Sequence, residues 1–170
     1  GLGDVYKRQV WEGRKMIEAA AKYGRIVQVG TQYRSEPGLA AGIKYLREGK
    51  LGKIKYVRAV VYTKRDAIGR KAPWTPDWLN YDLFCGPTPL QPLERNQLHY
   101  DWHWSWDTGN GELGNNGVHV LDISLRIAGH AKAPRRVLSY GGRYVIDDSA
   151  QTPNTHVALY DYADIPLIFE

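Results

Sequence analysis

The 170-residue chain reads as an α/β protein, and three observations predict that class. Helical periodicity near the start feeds a short apolar run, which is the tail of a βα unit in a parallel sheet. Long β-rich runs separated by turn signals fill much of the second half. Between them, Gly109-Asn-Gly-Glu-Leu-Gly-Asn-Asn-Gly117 leads into a helix that carries a histidine and an acid.

Taken in order, residues 11–23 read as a helix with Met16, Ile17, Ala20 and Ala21 facing inward, stopped at Gly24. Residues 25–29 read as a short buried strand ending at Gly30. The next helix begins at Glu36 or Pro37 and runs to Glu48, with proline near its first turn and Gly49 and Gly52 as its stop. Strands are expected over 53–64, 135–146, 154–162 and 165–169, the last two forming a hairpin that turns at Ala163-Asp164. Residues 66–107 form a loop-rich insertion holding five of the six tryptophans, and its aromatic density argues against disorder. A further helix falls within 112–129.

Composition narrows the function classes. Hydrophobic residues make up 43% and charged residues 24%, which is ordinary globular usage with room for one domain and a remnant of another. No apolar run approaches the roughly 20 residues that span a bilayer. The net charge of +5 is spread along the chain rather than gathered on one face, so nucleic acid is not the expected partner. A single cysteine, Cys85, excludes an internal disulfide and a cysteine-based zinc cage, and its setting suits a small buried filler. No signal peptide is visible, and the compartment stays open between cytoplasmic and exported.

The chemistry is concentrated around His119. At about 100° per residue, Asn115, His119 and Asp122 fall on one helical stripe, while Val118, Leu121 and Leu125 line an apolar one. Imidazole gives or takes a proton near neutrality, and Asn115 and Asp122 are placed to orient it or to hold a substrate hydroxyl. The same spacing also suits a helix whose histidine satisfies a buried hydrogen bond.

Upstream, His99-Tyr-Asp-Trp-His-Trp-Ser-Trp-Asp107 interleaves rings with polar groups. In an extended conformation Trp102, Trp104 and Trp106 point one way and Asp101, His103 and Ser105 the other. Flat rings beside donors and acceptors suit a sugar or polyol, and the candidate substrate contacts are Arg95, His99, Tyr100, Trp102, His103 and Trp104. Tryptophans closing a core beneath a long loop are the other reading. A metal centre built from His99, His103, His119 and Asp122 competes, but His-x-x-x-His needs a helix that Asp-Trp-His-Trp-Ser-Trp does not favour, so no metal is expected.

Several segments resemble the Gfo/Idh/MocA oxidoreductase family. They are Glu12-Gly-Arg-Lys-Met-Ile-Glu-Ala-Ala, Val27-Gln-Val-Gly-Thr-Gln-Tyr-Arg, Leu46-Arg-Glu-Gly-Lys-Leu-Gly, Tyr81-Asp-Leu-Phe-Cys-Gly-Pro, Asn96-Gln-Leu-His-Tyr-Asp-Trp-His-Trp and the stretch 109–122. Six pieces in order, over about residues 10–170, are specific where one is not. The resemblance implies the tail of a Rossmann fold over 10–35, then a substrate-binding and oligomerisation α+β domain over 36–170. That domain would have an open, mostly antiparallel sheet with helices on one face. Residues 1–9 match nothing in the family and are expected to be a non-native flank, and the chain is expected to be a fragment.

The resemblance further implies NAD or NADP as cofactor, a sugar or polyol as substrate, a homodimer or tetramer, and His119 as general base while the nicotinamide takes a hydride. Many members carry Asp where this chain has Asn115, and asparagine hydrogen-bonds a substrate without sharing a proton. Gln32 and Arg34 hold the position that runs beside the nicotinamide, although a surface turn with a solvated arginine also fits them. The family's glycine-rich phosphate loop and Glu-Lys-Pro lysine are not found in the sequence, and Gly1-Leu-Gly-Asp lacks the preceding strand that a dinucleotide fingerprint needs. The alternatives are an NAD-dependent glycoside hydrolase or epimerase of the same superfamily, and a non-catalytic carbohydrate-binding module.

Overall fold

Residues 10–86 and 88–170 are described in a computed structural model; the flank expected over 1–9 lies outside the described residues. The chain divides into two compact units, one taking residues up to Val29, Asp66–Gly111 and Ile146–Thr152, the other Gly30–Arg65, Glu112–Val145 and Pro153–Glu170.

In the first unit, helix α1 (Val10–Lys22) carries Glu12 in its first turn and Lys22 in its last, each favourable for the helix dipole. Gly24 stops it with φ +58°. Its apolar stripe is not inward, contrary to the sequence reading: Met16, Ile17 and Ala21 are exposed and only Ala20 is half-buried. The strand expected over 25–29 does not form either. A strand exists only with a hydrogen-bonded neighbour, no described strand pairs with this run, and Ile26 is 100% exposed.

The rest of this unit is built from loops around Phe84, Cys85, Leu93 and Leu98, with Trp74, Leu79 and Tyr81 packed against them. Short helix α3 (Tyr81–Cys85) starts where the Asn80 side chain accepts a hydrogen bond from the Leu83 amide at 3.1 Å. Trp74 and Leu93 exchange a reciprocal pair of backbone bonds, N to O at 2.9 and 2.8 Å. Cys85 is the buried filler its setting predicts. Asp101–Trp104 forms one turn of 3-10 helix rather than an extended run. The expected alternation is therefore lost: Asp101, His103 and Trp104 are buried, Trp102 is half-buried, and Trp106 is exposed.

The second unit holds the sheet. Helix α2 (Pro37–Arg47) begins with the Glu36 side chain accepting from the Gly38 amide and ends before Gly49 and Gly52, both at positive φ, as the sequence predicts. Strands β1 (Val57–Ala59), β2 (Arg136–Gly142), β3 (Thr155–Asp161) and β4 (Leu167–Phe169) run in the order β1-β4-β3-β2. β3 is antiparallel to both neighbours, and β1 joins β4 in parallel. The run 53–64 yields only three paired residues because β4 offers only Leu167, Ile168 and Phe169 opposite it. The hairpin between β3 and β4 turns where expected.

Two helical pieces follow one another before β2: α4 (Glu112–Asn115) and α5 (Gly117–Ala128), the latter capped by Gly129 at φ +77°. α5 packs on β1 and β4. Val120, Leu121 and Leu113 meet Ala59, Ala158 and Phe169 in the core. The apolar stripe is thus rotated from the one read in the sequence, and Val118 is exposed. Closeness explains Gly117, where a Cβ would sit 3.3 Å from the Phe169 ring and 3.2 Å from Leu113. The architecture is a mixed α/β one with an open, mostly antiparallel sheet.

Candidate active site around His119

Residue 119 lies on α5, one turn past the junction with α4, and its ring is half-buried. Nδ1 is enclosed and has no hydrogen-bond partner among the described residues. Tyr33 approaches the imidazole edge-on, with ring centroids 5.7 Å apart and planes at 66°.

Tyr33 belongs to a turn of 3-10 helix, Gln32–Ser35, that packs on α5. From the same turn Arg34 grips Asp122 with both ends of its fork: Nε donates to Oδ2 at 2.9 Å and to Oδ1 at 3.1 Å, and Nη2 also bonds Oδ1. Such bidentate pairs fix geometry as well as charge. The guanidinium's hydrogen bonds hold the Asp122 carboxyl below the usual carboxylate range, against a smaller opposing push from burial. His119 and Asp122 are three residues apart on one face of α5, so the Arg34-held carboxylate stands near the imidazole.

Asn115 is less closely tied to this group than the helical stripe predicts. It sits on α4, and its amide donates to Glu112 Oε2 at 3.4 Å. Glu112 also accepts from Asn116 Nδ2 at 2.6 Å and from Arg65 Nε at 2.6 Å, so the acid anchors the entry to α5. Gln32 is exposed at the side of the turn. Tyr33 is the residue that sequence reasoning missed. It stands between the two residues picked, and spacing alone does not say which of three consecutive side chains turns toward a neighbouring helix.

The candidate substrate residues of the loop lie in the first unit. His99 and Tyr100 are exposed and Trp102 is half-buried, so their rings retain surface for a ligand. His103 is 0% exposed, with its Nδ1 against Tyr100 O at 3.1 Å and its own carbonyl accepting from Thr152 Oγ1 and Gly111 N. Trp104 is buried as well. Arg95 is buried and donates to the carbonyls of Gln97 and Leu98. Among the described residues no three His, Cys, Asp or Glu side chains gather as a metal site, and no helix is long and apolar enough to cross a membrane.

The family model described as "Oxidoreductase family, C-terminal alpha/beta domain" (GFO_IDH_MocA_C2) matches residues 60–155, more than half of the chain and inclusive of His119. The chain belongs to the Gfo/Idh/MocA oxidoreductase family. Levoglucosan dehydrogenase from Pseudarthrobacter phenanthrenivorans is 25% identical over 129 residues, covering 75% of this chain. Among solved structures, yvaA of Bacillus subtilis superposes with a TM-score of 0.57 over 93% of this chain at 19% identity, a likeness of fold. The Gfo/Idh/MocA chain spans about a quarter of the length of that dehydrogenase, 26%, and 35% of the solved chain.

Proposed function

We propose that the protein containing this chain transfers a hydride between NAD(P) and a sugar or polyol, with His119 as general base. One observation carries the reading: within the family's matched segment, a half-exposed imidazole stands beside an acid that Arg34 keeps ionised. Residues 10–35 are read as the end of the cofactor-binding domain and 36–170 as the substrate-binding and oligomerisation domain. A relative named as a levoglucosan dehydrogenase supports a sugar as substrate.

The residues near His119 suit one end of the cofactor. Gln32 offers an exposed carboxamide, which is matched to the amide of a nicotinamide. Arg34 does not suit a phosphate, because Asp122 already occupies its guanidinium. When bound, NAD(P) supplies the hydride acceptor.

The chain's own residues handle the proton. The Nε2 atom of His119 is the less enclosed nitrogen, and it takes the proton from the substrate hydroxyl as the C–H bond is broken. Asp122 is held ionised by Arg34, so it stays a fixed charge that stabilises the imidazolium rather than a second proton carrier. Tyr33 limits how the imidazole turns by standing against its edge.

The test is to incubate the whole protein with NAD or NADP and a panel of sugars and polyols that includes levoglucosan, following the absorbance of reduced nicotinamide. Stoichiometric formation of the reduced cofactor is the expected result. Glycoside cleavage without its accumulation would instead place the protein among the NAD-dependent hydrolases, and sugar binding with no reduction would make it a binding module.

A further inference from the structure

The first unit contains a cavity of about 460 Å³, a size that suits a small organic ligand. Arg95 lines it and is only 7% exposed. Its Nε donates to Gln97 O at 3.0 Å and its Nη2 to Leu98 O at 2.9 Å, both neutral acceptors. Nη1 takes part in neither bond, and Arg95 forms no ion pair among the described residues. The Asp101 carboxylate acts on it through its charge without making an ion-pair contact, and a guanidinium is costly to bury with no hydrogen-bonded anion.

The other walls are of two kinds. Phe84 and Trp104 supply apolar faces. Asp101, itself 6% exposed, Glu94, Asp107 and the hydroxyl residues Ser105 and Ser149 supply polar ones, so Arg95 is the cation among three acids. The Asp101 carboxylate offers lone pairs to a hydroxyl donor. Ser149 spends its proton on Gly69 O at 2.9 Å, leaving its oxygen as an acceptor. Burial pushes the Arg95 guanidinium down and the Asp101 carboxyl up, so both groups lack full compensation in the bare chain.

We infer that this cavity binds a small polyhydroxy monocarboxylate, its carboxylate paired with Arg95 and its hydroxyls with Asp101, Ser105 and Ser149. Arginine is the cation best shaped for a carboxylate, and Trp104 offers a flat face to the C–H edges of a polyol chain. The site stands on residues of the first unit alone and needs no hydride chemistry.

The test uses D-galactonate, with galactitol as the analogue lacking the carboxylate and hexanoate as the analogue lacking the hydroxyls. Binding to the full chain is followed by the NMR signals of Arg95 Nε–H and the Trp104 indole N–H. Galactonate is expected to shift both signals and to bind at least tenfold more tightly than either analogue, a difference of about 1.4 kcal/mol. Arg95→Lys, which keeps the charge but loses the fork, is expected to weaken galactonate at least tenfold. Equal binding of galactitol would overturn the pairing with Arg95, and equal binding of hexanoate would overturn the role of the hydroxyls. If galactonate shifts neither wild-type signal, Arg95 is a loop-holding cation only and the proposal fails, whether or not the variant folds.

Discussion

Asp122 is the residue whose charge reports most directly on the geometry around His119. Its folded carboxyl is held below the ordinary value by Arg34. Ionisation is therefore worth more in the folded chain than in the unfolded one. The pair's contribution is present above the unfolded pKa, near 3.8, and is lost as pH falls through the lower folded value. Asp122→Asn should flatten this acid limb: between about pH 6 and pH 2 the melting temperature of the variant should fall less steeply than that of wild type. Parallel pH curves for the two proteins would show that Arg34 does not hold the carboxylate in solution. The sequence made Asp122 and Arg34 visible as separate candidates, one for catalysis and one for cofactor. Their pairing was not visible, because 88 positions separate them and only the packing of the 32–35 turn on α5 brings them together.

At the scale of the element, two positions test the account of local structure. Val145 has φ +70° and a fully exposed side chain just past the end of β2. A β-branched residue is strained in the left-handed region, by roughly 1–2 kcal/mol. Val145→Gly should relieve that strain with no packing lost and stabilise the protein by about 1 kcal/mol, as read by denaturant titration. The opposite holds at Gly109, where a Cβ would stand 2.5 Å from the Cα of His103. Gly109→Ala should destabilise by about 1–3 kcal/mol, since backbone must move. A neutral result would mean that the loop does not close on His103 as described. These contacts explain why α2 and the β3–β4 hairpin were legible and the tryptophan loop was not. Pro37, Gly49, Gly52 and the Ala163-Asp164 turn are local signals. The 3-10 turn at 101–104 is instead fixed from a distance, by Gly111 and Thr152 bonding the His103 carbonyl.

Across the whole molecule, order follows pairing rather than apolar content. Residues 25–29 are as apolar as a buried strand, yet they have no ladder, whereas β3 is bonded on both sides. In the 170-residue chain by itself, amide hydrogen exchange should therefore be slowest in β3 and β4 and fast over 25–29. Strong protection of 25–29 in the whole protein would show that a further strand completes a sheet there. Under the proposed function the same dependence on partners governs activity: His119, Tyr33, Arg34 and Asp122 form one group, and the hydride transfer proposed for it would also require NAD(P). The most direct measurement of the central claim is the turnover of the whole protein with His119→Ala, beside a separate titration of cofactor binding. The account predicts that turnover falls by about 10²–10⁴-fold and that cofactor affinity is retained. Unchanged turnover in the variant would contradict it.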